Sequence, residues 1–486
     1  MVPPARVARR RRLIAGGTAL LIVALVVALV LQLGGGKHGP EPVPLPGPGF
    51  KVPTDDPFAY SPARAPGLSS AAALGEAHIL FVKSPGGVVA TARRVAKLRP
   101  LIVAAGRAGG IDPNTLEGIV FLESAGQPDV VAGNDLSGAA GLTQILAQTA
   151  TGLLGMHVDL AASKRVARSL ARAQTAAQSR RLLARRRRVD DRFDPAKALA
   201  GTVRYLKLAA AKLGRPDLAV VSYHMGIGNL QNVIAAYGGG SPSYAQLYFD
   251  STPDLHPAAW RLLAGFGDES SLYYWKILAA ERLMAAYRSD PAGLRREQTL
   301  QTEKASSEDV LHPPDRTQIY ATPQALSRAY ARKELVPLPA SPGALFLRFD
   351  RGIGSLAPRI GQQPGLYRGL RPGALAMLVY IAARVKGLSH TVAPLTVTST
   401  VRDRRYQRLL LATDPEATPN YSLHTTGWTF DIARRYATRA QAQAFQFVLD
   451  RLQALNLIAW VREPGAIHIT VSAAADALLP RLRPLR

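Results

Sequence analysis

Apolar positions along the chain change their spacing from one stretch to the next. Residues 13–33 (LIAGGTALLIVALVVALVLQL) carry no charge; as a helix they reach about 31 Å, the thickness of a bilayer core. Arg6 and Arg9 to Arg12 precede them, so the positive-inside rule puts that end in the cytoplasm and the rest of the chain outside. A cleaved signal peptide has a shorter apolar region and a small-x-small site, which LQLGGGKHG matches poorly. The expected localisation is the cell membrane, single-pass, with extracytoplasmic domains. Gly and Pro dominate the next segment, an extended spacer. Helical spacing then runs to about 300, and residues 301–345 are polar and Pro-spotted. Beyond them helices mix with short β runs, LTVTST, WTFDIA and AIHITV. The expected fold is multidomain: a tail at 1–12, a transmembrane helix at 13–33, a linker at 34–75, an all-α domain at 76–300, a linker at 301–345, and at 346–486 an α+β domain with a small antiparallel sheet.

Composition narrows the chemistry. The 486 residues hold 60 Lys+Arg against 34 Asp+Glu, a net charge of +26, and no cysteine. The charge points to an anionic partner. The missing thiols exclude disulfides, thiolate metal sites and Cys nucleophiles, leaving His, Asp and Glu to hold any metal. No nucleic-acid reader motif appears, and the expected anchor places the bulk outside the cytoplasm, so no nucleic-acid partner is expected. Residues 164–192 carry eleven Lys/Arg and two Asp. They read either as a solvated helix or as a contact for anionic wall polymers or lipid headgroups.

Ile111 to Gly126, IDPNTLEGIVFLESAG, predicts a helix with Asp112 as N-cap and Pro113 in its first turn. Leu116, Ile119, Val120 and Glu123 share one face, with Glu117 about 100° away. A carboxylate on a core-facing stripe is costly to ionise, so its pKa should rise, as a general acid for glycosidic cleavage requires. The stripe alone equally fits an edge glutamate whose tip reaches water. Downstream lie Ser137-Gly138-Ala139-Ala140-Gly141-Leu142-Thr143-Gln144-Ile145, Phe193-Asp194-Pro195, Tyr205-Leu206 and Ser222-Tyr223-His224-Met225-Gly226. In order and spacing these motifs resemble the soluble lytic transglycosylase family, with its lysozyme-like helical fold.

The resemblance implies that Glu123 is the catalytic acid/base, that Gln144 lines the sugar groove and that Tyr223 sits beside the scissile bond. The substrate would be peptidoglycan, with no cofactor. The family's Tyr-Asn-Ala-Gly becomes Tyr223-His224-Met225-Gly226; a neutral His can donate one hydrogen bond and accept another, so His224 can fill the Asn place. A lone acid suits a route to a 1,6-anhydro sugar without water. If Asp135 positions a water instead, the enzyme is a goose-type hydrolase.

In the C-terminal part, a β run ending at Thr400 delivers Arg402, with Gln407 on the following helix. His424, Asp431 and His468 offer two nitrogens and one oxygen, the composition of a three-ligand catalytic zinc site. Ser422-x-His424-x-x-Gly427-x-Thr429-x-Asp431 resembles the zinc D-Ala-D-Ala carboxypeptidase family, with Thr429 in place of Ala. The resemblance implies zinc held by His424, Asp431 and His468, Glu463 activating its water, and substrate bound by Arg402 and Gln407. Glu463 stands five residues before His468, where the family spacing is three. A Pro464-Gly465 turn closing a hairpin would pair Glu463 with Ala466 and put its side chain on the face of His468. Both resemblances name one substrate: one domain would cut glycan strands, the other stem peptides. The competing reading keeps glycan cleavage and makes the C-terminal domain an inactive wall-peptide-binding module.

Overall fold

The computed structural model describes residues 56–478 except 57, 134, 304–306, 414–417 and 420. Its first part is helical. Helix α1 (Ala65–Lys83) is followed by α2 (Arg99–Gly109) and α3 (Pro113–Ser124). The predicted start of α3 forms as expected: Asp112 accepts from the Asn114 N–H and Pro113 opens the helix. A hairpin of α4 (Leu160–Ala171) and α5 (Ala176–Val189) precedes α6 (Pro195–Leu213) and α7 (Pro216–Met225). A reciprocal Thr175–Gln178 capping box starts α5, and Asp194 caps α6. Helix α8 (Tyr273–Ser289) packs against both α1 and α3. It buries Tyr273, Ile277, Ala280 and Met284, positions whose spacing traces one face.

The stretch 301–345 holds the single turn α9 (Glu308–Leu311) and a helix over Pro323–Ala331. Beyond it, β1 (Leu347–Phe349), α10 (Pro372–Ser389), β2 (Leu395–Ser399), α11 (Arg404–Leu410), β3 (Thr429–Ala433), α12 (Arg439–Ala454), β4 (Ile458–Arg462) and β5 (Ala466–Val471) follow in order. The sheet order is β1-β2-β3-β5-β4. The expected all-antiparallel sheet is corrected: β1 pairs parallel to β2, because the chain between them crosses over through α10, the long connection a parallel pair requires. Phe430, Ile432, Ile467, Ile469 and Val471 point into the core with α10 and α12. The two-residue period then turns Asp431 and His468, which face each other in register, to the opposite side. One hydrophobic cluster runs from the helical part into the sheet part. Gly75 of α1 lies so close to the carbonyls of Gln453 and Ala454 that a Cβ there would collide with them.

The transmembrane helix expected at 13–33 falls outside the described residues, and among the described residues no helix is long and apolar enough to cross a membrane. The 19-residue α6, for example, carries Lys197, Arg204, Lys207 and Lys212. The fold class is therefore corrected to a helical region and a C-terminal mixed-sheet region, with no spanning helix among the described residues. The single-pass membrane localisation, and the membrane as a partner through the N-terminal helix, are not retained.

Candidate functional site

Glu123 and Glu117 sit on the same helix and meet opposite surroundings. Glu117 is fully buried and bonded to Arg99 at 3.0 Å and Arg288 at 2.7 Å. The side of the helix about 100° from the predicted stripe is thus also covered, and two guanidinium groups pair with the carboxyl there. Glu123 instead accepts a 2.7 Å hydrogen bond from the Tyr273 hydroxyl. Burial pushes its pKa up to about 7, opposed by the Tyr273 bond and reinforced by the negative Glu269. Glu269 itself is held down to about 2: burial acts against ionisation, but Lys276 and Lys83 outweigh it. A carboxyl that keeps its proton near neutrality can protonate a leaving oxygen.

The other residues expected at this site gather around it. Tyr223 donates to the Thr143 carbonyl at 2.7 Å, and its ring meets Tyr205 edge-on at 5.2 Å. Burial drives the Tyr223 pKa up, and the nearby Glu123 raises it further. His224 stacks on Tyr273 at 5.2 Å and bonds Ser270 at 3.0 Å. Gln144, at φ 51°, spends its amide N–H groups on the carbonyls of Val130 and Gly141. What it offers a sugar is therefore its amide oxygen. Gly141, at φ +81°, lies against the Arg192 carbonyl and leaves no room for a Cβ. Asp135 is exposed and bonded to Ser137 and Lys164; the Ser137 bonds lead in lowering its pKa to about 2. Tyr273 was not predicted. It lies 150 residues from its partner Glu123, and its only sequence signal is a hydroxyl on the buried face of α8.

On the sheet, the ligand atoms of His424, Asp431 and His468 lie within 4.8 Å of one another. The His424 Nδ1 bonds the Thr400 carbonyl at 2.8 Å; a carbonyl only accepts, so Nδ1 carries the proton. Burial leads in lowering the His424 pKa to about 4, so the ring is neutral. Its Nε2 lone pair then faces an Asp431 oxygen at 3.2 Å. Two acceptors facing each other is the arrangement a cation resolves. His468 Nδ1 meets the other Asp431 oxygen at 2.8 Å, and its Nε2 meets Glu308 of α9 at 3.1 Å. Burial opposes charge on His468, but these two carboxylates outweigh it and raise its pKa to about 10. Asp431 ends well below the usual range because the two imidazoles overcome its burial.

Arg402 reaches Ser399 at 2.7 Å, Gln407 at 3.0 Å and Asp431 at 3.6 Å. Gln407 is buried, accepts from Arg402 and donates its amide to the Thr418 carbonyl. The Glu463 N–H donates to the Ala466 carbonyl across the Pro464-Gly465 turn at 3.0 Å, the pairing expected of that turn. Glu463 lines a cleft of about 450 Å³ together with Arg402 and Asp431. Glu308 was missed because it sits in a polar stretch that reads as a linker. No local pattern links it to a histidine 160 residues downstream.

Residues 100–244 match the family described as the transglycosylase SLT domain. The match spans the helices that carry Glu123, Tyr223 and His224 and the loop that carries Gln144, and it ends before the five-stranded sheet. A search of curated proteins finds no match to the chain.

Proposed function

We propose that this protein, whose transglycosylase domain supports glycan cleavage in peptidoglycan, cuts the MurNAc–GlcNAc bond at Glu123 and releases a 1,6-anhydro product. The observation that carries this reading is a half-buried carboxyl raised to about 7 whose hydrogen-bond partner is a tyrosine and not a cation. Glu123 gives its proton to the glycosidic oxygen as the bond from the sugar C1 breaks. The substrate's own acetamido group stabilises the cation. The carboxylate, steadied by the Tyr273 hydroxyl, then removes the proton of the 6-hydroxyl, whose oxygen closes on C1. Asp135, tied to Ser137 and Lys164, does not favour the hydrolytic alternative. Mass spectrometry of digested wall tests the reading: anhydro ends are expected, and reducing ends would favour the hydrolase.

We further infer that the sheet domain is a zinc-dependent peptidase acting on stem peptides. The donor set fits: two nitrogens and a carboxylate, with the far nitrogens of both rings fixed by Thr400 and Glu308. His424, Asp431 and His468 would hold the ion, which when bound supplies an acidified water and a polarised carbonyl. Arg402, fixed by Ser399 and Gln407, binds a carboxylate or steadies a developing oxyanion at the cleft. Glu463, on the face shared with His468, takes a proton from water. Zinc content after equilibrium dialysis of the full chain tests this. A chain that binds no zinc leaves the sheet domain as a wall-peptide-binding module.

A further inference from the structure

The hairpin α4–α5 plays no part in either chemistry, yet it concentrates the charge of the chain. Of the eleven cations in residues 164–192, ten are arginine. Lys164 pairs with Asp135, Arg187 with Asp129 and Arg192 with Asp190, while Arg186 is buried over the Phe193 ring at 4.1 Å. Arg165, Arg168, Arg172, Arg180, Arg181, Arg185 and Arg188 are exposed, and among the described residues none of the seven meets a carboxylate within ion-pair distance.

The foot of the hairpin is fixed to the glycan site. The fully buried Arg192 donates to the carbonyls of Leu136 (2.7 Å), Gly138 (2.9 Å) and Ile145 (3.3 Å). These lie in the loop that presents Gln144, and the Thr143 carbonyl of that loop receives the Tyr223 hydroxyl. Seven unpaired guanidinium groups thus stand on a mount shared with the groove.

We propose that this hairpin docks a flexible phosphodiester-type polyanion carried on, or lying beside, the glycan strand that enters the Glu123 groove; the inference rests on the glycan-cleaving reading. Guanidinium forks match phosphate oxygens in pairs, and arginine is used here almost to the exclusion of lysine. A lipid surface fits less well. An interfacial helix needs an apolar face to bury among acyl chains, and no large apolar side chain of this hairpin is among the exposed ones. Binding raises the local concentration of strand at the groove without any contact to the reacting sugar.

The test measures binding of the full chain to linear polyphosphate, to polyglutamate of similar length, and to phosphatidylglycerol vesicles. The variant replaces the seven exposed arginines by glutamine. Seven exposed contacts at roughly twofold each compound to about 100-fold weaker polyphosphate binding, with wild-type affinity falling as salt rises. Circular dichroism matching the wild type shows that the hairpin still folds. Binding by the variant within threefold of wild type overturns the proposal. So does polyglutamate bound as tightly as polyphosphate, or vesicle binding without polyphosphate binding. No glycan is cut in this assay, so its failure leaves the role of Glu123 standing, and an inactive Glu123→Gln chain should still bind polyphosphate.

Discussion

Glu123 on its helix is a half-buried carboxylate and Asp431 on its strand a buried one, and their neighbours drive them apart. Glu123 has a tyrosine hydroxyl at 2.7 Å and a negative Glu269 acting on it, and its pKa rises to about 7. Asp431 touches two imidazoles and lies 3.6 Å from a guanidinium, and its pKa falls well below the usual range. Burial opposes ionisation in both. The difference is the countercharge: without one the group is an acid, and with a cationic His468 and the Arg402 guanidinium beside it the group is a permanent anion suited to a cation. Glu117, nearly two turns before Glu123 on the same helix, has the countercharges that Glu123 lacks, since Arg99 and Arg288 both bind it.

The largest expected effect removes the titrating proton on one side only. Glu123→Gln keeps shape and burial, so glycan cleavage should fall by at least about 100-fold, read as muropeptide release from purified wall. Zinc binding should stay at the wild-type level. A Gln variant cleaving at near wild-type rate would sink the acid assignment. The reciprocal change is His468→Ala, which deletes a ligand nitrogen and leaves Asp431 and His424 as the remaining two of the three donors. Zinc affinity should drop by more than the roughly 10–100-fold typical of outer-shell changes, with glycan cleavage retained. Chelation should likewise stop peptide release and leave glycan release intact.

A smaller effect is expected at Glu308, which holds the far nitrogen of His468 at 3.1 Å. Glu308→Gln retains a hydrogen-bond acceptor but loses the charge, and zinc affinity should weaken by about 10-fold. Equilibrium dialysis against zinc reads this directly. Affinity unchanged within a factor of two would mean that α9 packs against the sheet without steering the ligand.

The two regions were legible in the sequence to different depths. The start of α3 was readable from Asp112-Pro113, and Glu123 from its place on an apolar face, because helix caps and periodicity are local. The cluster of His424, Asp431 and His468 was readable as a donor set, and the Glu463–Ala466 pairing followed from a Pro-Gly turn. The parallel β1–β2 pair was not: nothing in a three-residue strand says whether its partner arrives by a hairpin or a crossover. Tyr273 and Glu308 were not legible for the same reason, each meeting its partner across about 150 residues of chain with no pattern to mark the meeting. The burial of Glu117 was not legible in the stripe, because α2 and α8 both pack against α3.

The finest test of the contrast is Tyr273→Phe, which withdraws a hydrogen bond and leaves the burial of Glu123 in place. The hydroxyl donates to the carboxylate and so favours its ionised form; it acts against the burial that holds the pKa near 7. Removing it should raise the Glu123 pKa further. The first step needs the protonated acid, so activity falls as pH rises through that pKa. The descending limb of the pH–rate profile should therefore lie near 7 in the wild type and move up by about one unit in the variant, the size expected from a hydrogen bond to a charged group. The rate at the optimum should drop modestly, since the carboxylate that takes the 6-hydroxyl proton loses its partner. Zinc affinity should not change. A limb that stays in place, or moves to lower pH, would mean that Tyr273 serves the packing of α8 on α3 and that burial and Glu269 alone set the acid.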